Sequence, residues 1–435
     1  VSPEVLGVLA ILIMLALLAL GAPIGVAMGV VGVAGLAILI SPEAAVIKSG
    51  VVAFETISRY ELGVLPLFLL MAHICISAGA TRNFFDVAAK FLGHRRGGLA
   101  LASIGGCAGF GAVSGSSLAT AATVGMVALP EMRKANYDPA LATGALAAGG
   151  TLGSMIPPSG ALIVFGVIAE QSISKLFTAA IIPAATQALF YMAAIFILCQ
   201  LNPKLGPAAP RAPWSERWRA VGAIWDIALL VIGVISGITF GWFTPTEAGS
   251  VGALGAMVIC AVRRKLSLKV LAQALAETLR TTGMIYSIII AAVIFSTFIS
   301  VSGLAGGVAG WVAGLGAGKL VAVLAMALAL LVLGSFLDGM ALMLLATPIF
   351  LPIVTSLGLS PIWFGIFLVR TMEIGFVHPP VGMNVYVIHG LAKDIPLTTI
   401  FRGIIPFLVT DFVHLGVLIA FPALALWLPQ VLGAA

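Results

Sequence analysis

Ten stretches of this chain, near residues 4–21, 24–41, 62–80, 140–169, 177–200, 222–241, 244–262, 281–302, 361–390 and 403–428, reach or approach the roughly 20 apolar residues that span bilayer hydrocarbon. Such a chain must turn most of its surface toward lipid. Its charge content agrees: 9% of the 435 residues are Asp, Glu, Lys or Arg, against roughly a quarter in a soluble domain. The expected class is an all-α polytopic membrane protein with about ten transmembrane helices. The first run, Glu4 to Leu20, has no basic segment before it and is followed at once by another, so it reads as a span and not a cleaved signal. A net charge of +6 would suit nucleic acid in a soluble chain, but here the basic residues stand in short connections between apolar runs, and no nucleic-acid partner is expected. The clusters Arg82–Arg96, Arg133-Lys134, Lys204–Arg219, Arg263–Lys269 and Lys393–Arg402 fall on one side of a ten-span chain, which the positive-inside rule makes cytoplasmic. Both termini and the connections at 42–60, 170–176, 242–247 and 303–318 then face outward. Cys75, Cys107, Cys199 and Cys260 lie apart in apolar runs, without metal-ligand spacing, as core residues do.

Two further apolar stretches, 97–132 and 319–355, are interrupted near the middle by small and polar residues. That pattern predicts two re-entrant helical hairpins, because irregular backbone at mid-membrane survives only inside protein or along a cavity. The two halves also match at an offset of 222 residues: Leu129-Pro130 with Leu351-Pro352, Pro139 with Pro361, Gly153 with Gly375, and Pro157-Pro158-x-Gly160 with Pro379-Pro380-x-Gly382. A one-residue shift pairs Ile181-Ile182-Pro183 with Ile404-Ile405-Pro406, and Leu92-Gly93 with Leu315-Gly316. Five crossings separate the repeat starts near 62 and 281, so the two units are inverted. The organisation is 1–61 N-terminal scaffold helices, 62–200 first repeat, 201–280 linker and scaffold, and 281–435 second repeat, with Pro203–Trp225 the one long linker. Inverted repeats with broken helices near the midplane are an architecture of secondary transporters that work by alternating access.

Three features bring polar chemistry to membrane depth. The first hairpin breaks at Gly111-Ala-Val-Ser114-Gly115-Ser116-Ser117-Leu-Ala-Thr120, whose exposed backbone and hydroxyls suit a desolvated Na⁺ or an anionic substrate, or else pack helices closely. The second breaks at Gly334-Ser335-Phe336-Leu337-Asp338-Gly339-Met340 and carries an acid. Asp338 is a cation ligand, a proton carrier, the partner of a buried cation, or a helix cap facing an aqueous vestibule. The double prolines Pro157-Pro158 and Pro379-Pro380 remove amide donors, which divides each span into half-helices or simply kinks it. Beside the second break, Arg370 and Glu373 stand at i,i+3 and suit a helix-face ion pair; alternatively Glu373 helps with a cation and Arg370 with a substrate carboxylate. His73, His389 and His414 lie singly on apolar faces and read as packing residues. There is no HExxH or GxSxG, and Gly318-Lys319 is followed by Leu320, which breaks a Walker A reading. An enzyme is not expected, nor an organic cofactor.

Taken together, Pro66-Leu67-Phe68, Ser114–Ser117, Gly149-Gly150-Thr151-Leu-Gly153 to Ser159, Thr244-Pro245-Thr246-Glu247-Ala248 and Glu373-Ile-Gly375 to Asn384 closely resemble the large membrane subunit of tripartite ATP-independent periplasmic (TRAP) transporters, over nearly the whole chain. The resemblance implies an elevator-type importer in the bacterial inner membrane, coupled to about two or more Na⁺ ions and carrying an organic acid of the sialic acid or C4-dicarboxylate type. It implies two partners, a small four-helix membrane subunit and a periplasmic substrate-binding protein. Where each hairpin tip meets its break, it implies Na⁺ sites at Ser114, Gly115, Gly153 and Pro157 in one half and at Asp338, Gly339, Gly375, His378 and Pro379 in the other, with Ser116, Ser117, Thr120, Ser159, Arg370 and Asn384 against the substrate. One departure stands out: where the family reads Thr-Pro-Pro, this chain has His378-Pro379-Pro380. An imidazole can carry a proton, so a second Na⁺ site and proton linkage are alternatives there. A stand-alone Na⁺- or H⁺-coupled divalent-anion carrier and a channel-like pore are the other readings of the architecture.

Overall fold

The computed structural model of the protein describes residues 2–433 except 305, 308, 309 and 311–317, and among them every regular element is helical. Five helices begin with a side-chain cap followed by proline: Ser2-Pro3, Ser41-Pro42, Asp138-Pro139, Thr244-Pro245 and Ser360-Pro361. The cap oxygen accepts an orphan amide and the proline, which lacks one, presets the first helical turn. At Thr244 the motif closes as a capping box, Glu247 N donating to Thr244 Oγ1 (3.3 Å) and Thr244 N to Glu247 Oε2 (2.9 Å).

The same order of elements occurs in each half. In the first, an arm helix (Val64–Ser77) precedes a hairpin (Gly98–Ser114 and Ser117–Lys134), a broken helix (Pro139–Met155 and Gly160–Ile168) and a long helix (Ile173–Leu201). In the second, the arm Leu268–Val301 precedes the hairpin Lys319–Gly334 and Gly339–Ser356, the broken helix Pro361–Gly375 and Met383–Leu391, and the helix Leu397–Ala420. Gly111 of the first hairpin packs on Gly153, where a Cβ would stand 3.0 Å from its Cα, and Gly334 of the second packs likewise on Gly375 at 3.7 Å. The two broken helices run in opposite directions. The first starts beside the linker, where Asp138 N donates to Leu205 O (2.9 Å), and ends where Val167 O accepts from Arg59 (3.4 Å). The second starts where Trp363 Nε1 donates to Leu418 O (3.1 Å) and ends where Asp394 meets Arg133 (2.8 Å).

The basic connections gather at one end. Arg263 binds Asp226 and the carbonyls of Ala78 and Ala223, Lys90 reaches Glu216 (2.5 Å), and Arg217 lies over Phe91 and Trp214. The Arg133 guanidinium holds the Asp394 carboxyl below the usual carboxylate range. Away from that end the outer helix faces expose large apolar side chains such as Leu189, Leu254 and Leu328, which suits contact with lipid.

Several boundaries differ from the sequence reading. The stretch 42–60, expected as a loop, holds the helix Pro42–Ser58, whose Glu43, Lys48 and Glu55 interrupt its apolar pattern. The end of the 201–280 linker and scaffold and the span at 281–302 form one 34-residue helix, Leu268–Val301, that runs through the 280/281 boundary. The last span, placed at 403–428, ends at Ala420 before a second helix, Ala423–Val431. Among the described residues six helices are long and apolar enough to cross a membrane, or eight if two bent pairs each make one span. The six include Gly339–Ser356, an arm of the second hairpin, whereas the first two apolar runs form helices of only 17 and 16 residues. Leu315-Gly316 of the proposed repeat, and much of the connection at 303–318, lie outside the described residues.

Thr244→Ala removes the cap and should cost about 1 kcal/mol, read as a lower midpoint of thermal unfolding in detergent, while Thr244→Ser should leave the midpoint in place.

Candidate functional site

Both hairpin tips open onto one cavity of about 360 Å³, closed on its other side by the two arm helices, including His73, Thr281 and Met284. The first tip turns at Gly115, whose φ of +61° is left-handed and whose missing side chain leaves room for Pro158 O, 2.4 Å from where a Cβ would stand. Ser116 then caps the returning helix, accepting from Ala119 N (3.4 Å), and Ser114 Oγ meets Thr120 Oγ1 (2.8 Å). The first tip thus seats on the first double-proline break. At the second tip Asp338 caps the returning helix, accepting from Met340 N (3.0 Å) and Ala341 N (3.1 Å), while Ser335 Oγ meets His378 Nδ1 of the second break (3.2 Å). Both Pro–Pro peptide bonds are cis. The first break is buried and the second exposed.

Of the residues singled out from the sequence, Ser114, Gly115, Ser116, Ser117, Asp338 and Gly339 line the cavity. Asp338 is exposed and acts as the helix cap foreseen among its alternatives. The others form the packing behind the tips. Gly153 admits Ser116 O and Thr120 Oγ1, each 2.5 Å from where a Cβ would stand, and Gly375 admits Gly334 O at 2.5 Å. Ser159, fully buried, donates to Ser154 O and accepts from Leu162 N (3.3 Å), so its hydroxyl closes the break. Asn384, also buried, donates to Ala147 O (3.1 Å) and ties the second broken helix to the first. Pro157 and Pro379 shape the breaks without lining the cavity.

Arg370 requires a correction. It makes no ion pair with Glu373 and does not reach the cavity; at 1% exposure it pairs with Asp411 of the Leu397–Ala420 helix. Tyr191 Oη (2.6 Å) and Gln187 Nε2 (2.8 Å) donate to the same carboxylate oxygen, and Tyr191 also meets Thr151 Oγ1 (3.0 Å). Glu373, fully buried, instead receives Ser117 Oγ, 2.8 and 2.7 Å from its two oxygens. Sequence reasoning passed over Asp411 and Ser154. As an acid within an apolar run, Asp411 carried the signal that singled out Asp338; Ser154 adjoins Gly153 but offered no pattern of its own. His73, read as packing, lines the cavity.

Chemically, the cavity has largely apolar walls with serine hydroxyls and one carboxylate at its polar edge, the lining of a site that takes a small organic molecule and orients it by a few polar groups. Next to it, each hairpin brings a backbone carbonyl onto a glycine of its broken helix. Carbonyl and hydroxyl oxygens of this kind would suit a hard monovalent cation held by Ser114, Gly115, Gly153 and Pro157 in one half, whereas in the other, with Asp338, Gly339, Gly375 and Pro379, the His378 imidazole adds a nitrogen.

Comparison with known proteins gives a consistent answer. The family described as "Tripartite ATP-independent periplasmic transporter, DctM component" matches residues 11–424. The C4-dicarboxylate TRAP transporter large permease protein DctM of Pseudomonas aeruginosa is 36% identical over 91% of this chain and 92% of its own length. The sialic acid TRAP transporter large permease protein SiaM of Vibrio cholerae is 31% identical over 86% and 87%. Among solved structures, the YdaH transporter of Alcanivorax borkumensis shares the fold with a TM-score of 0.55 at 16% identity, over 85% of this chain and 86% of that one.

Leaving one member of a buried ion pair alone costs about 3 to 5 kcal/mol. Asp411→Asn should therefore lower the stability of the detergent-solubilised protein by that order in chemical unfolding, and the double change Arg370→Met with Asp411→Leu should recover much of the loss.

Proposed function

Because the chain belongs to the DctM family of tripartite ATP-independent periplasmic transporters and is a large permease of that family, we propose that it imports an organic acid across the bacterial inner membrane by Na⁺-coupled movement of its hairpin unit. The observation that carries this reading is the single cavity shared by the two tips. An acid bound there touches elements of both repeats, so its binding depends on both being in place. The cavity lies between the hairpins, with the first break, on one side and the arm helices on the other, so sliding the hairpin unit along the arms would carry the site across the bilayer without dismantling it. This is the elevator reading. Ser116 supplies a hydroxyl for a carboxylate, Ser117 being held on Glu373, and the cations at the tips offset the charge of Asp338 and of the substrate. An anion arriving without them would meet an uncompensated carboxylate in a low-dielectric cavity.

A C4-dicarboxylate and a sialic acid are two of the substrates that the names of its relatives suggest, isethionate and 2,3-diketo-L-gulonate being others. The partners proposed are a periplasmic binding protein that delivers the acid and a small membrane subunit. The isethionate permease protein DctMQ of Oleidesulfovibrio alaskensis, of which this chain spans 58%, supports the second partner. With the basic connections in the cytoplasm, both termini face the periplasm.

Proteoliposomes holding this chain and its small subunit, supplied with a panel of organic acids and their binding proteins, test the proposal. Uptake should require both an inward Na⁺ gradient and one binding protein; saturable uptake without a binding protein would overturn it. Asp338→Asn keeps a capping side chain but removes the charge, and should raise the Na⁺ concentration for half-maximal uptake about tenfold, the loss of one charge-assisted contact.

A further inference from the structure

Besides Arg217 at the basic end, the fully buried charged side chains among the described residues are Arg370, Glu373 and Asp411. One cation thus faces two carboxylates. Arg370 is committed to Asp411, and no ion pair reaches Glu373. Around Glu373 the neighbours are oxygens. Ser117 Oγ lies 2.8 and 2.7 Å from its two carboxylate oxygens, 2.8 Å from Ser154 Oγ and 3.4 Å from Thr151 O. Ser117 has one proton to share among these four oxygens, and Ser154, which accepts from Ser117 N (3.1 Å), has one more of its own. Hydroxyl groups supply hydrogen bonds but no counter-charge, so the charge of this buried carboxylate stays uncompensated in a low-dielectric interior. Ser117 and Ser154 both line the cavity, which gives a small ion a path to the carboxylate.

We propose that Glu373, Ser117, Ser154 and the carbonyl of Thr151 form a monovalent-cation site, separate from those at the two hairpin–break junctions. The site joins different elements from the other two. Each junction links a hairpin to the broken helix of its own repeat, whereas this one links the first hairpin, through Ser117, to the second broken helix, through Glu373. A cation here supplies the missing positive charge of the core and fastens one repeat to the other. The proposal rests on the sodium reading above only for the identity of the ion.

Equilibrium binding of radioactive Na⁺ to the purified protein in detergent, at constant ionic strength in choline chloride, tests it alongside the thermal unfolding midpoint. Glu373→Gln should bind one Na⁺ fewer per chain than the wild type. Without Na⁺ it should unfold no earlier than the wild type, because an amide needs no counter-charge. Ser154→Ala should keep the stoichiometry but weaken one binding step about tenfold, and it decides the matter if Glu373→Gln does not fold. Equal stoichiometry in wild type and Glu373→Gln, or an unchanged affinity in Ser154→Ala, would overturn this site while leaving the sodium reading intact. Absence of Na⁺ binding by the wild type would overturn both. A wild-type midpoint that rises with acidity instead of with Na⁺, and does so only while Glu373 is present, would identify the occupant as a proton and also overturn the site.

Discussion

A helix interrupted inside a bilayer exposes amides and carbonyls that hydrocarbon cannot satisfy, and this chain interrupts its helices four times around one cavity. Each interruption is answered from within the protein. Ser116 and Asp338 cap the helices that return from the two tips, Ser159 caps the helix after the first double proline, Gly160 N donates to Gly115 O across the junction of tip and break (3.4 Å), and across the second double proline Asn384 N donates to Phe376 O (2.9 Å). The small residues follow from the same need. Only glycine at 153 and 375 leaves room for a hairpin carbonyl to press onto the broken helix, so what satisfies the backbone also draws polar atoms together beside the cavity. The site is a consequence of how the breaks are sealed.

Buried charge adds a second layer. The Arg370–Asp411 pair, with Tyr191 and Gln187, joins the second broken helix to the long helices that end the two repeats. Tyr191 continues through Thr151 to the first broken helix, and Ser117 joins the first tip to Glu373. Both broken helices, the first tip and the closing helices therefore form one polar-linked body behind the cavity, while the arm helices on its other side contribute apolar walls with His73 and Thr281. An inside of polar links and an outside of apolar contacts suits a body that moves as a unit along its neighbours.

Much of this was legible in the sequence because membrane folding writes itself in apolar runs and in proline and glycine. The two hairpins, the breaks at Pro157-Pro158 and Pro379-Pro380, and the pairing of Gly153 with Gly375 follow from spacing alone, since each residue acts on its own backbone. Side-chain partners were less legible. Arg370 stood one turn from Glu373 and still paired with Asp411, 41 residues away, because which face of a helix meets which neighbour is set by packing between helices. Ser159 looked like a substrate contact and closes the break instead, as a serine directly after two prolines is placed to do. The helix at Pro42–Ser58 escaped notice because its three charges disguise a partly apolar surface.

The central claim is that tips from two inverted repeats enclose one substrate cavity, and substrate protection of engineered thiols tests it most directly. The four native cysteines are buried, so single cysteines at Ser116 and Met340, both on the cavity wall, can be labelled against a low background. The account predicts that a thiol reagent modifies both positions in proteoliposomes and that the transported acid, with Na⁺, slows modification at both over the same concentration range. Protection at one tip alone, or at neither under conditions in which the acid is transported, would contradict it.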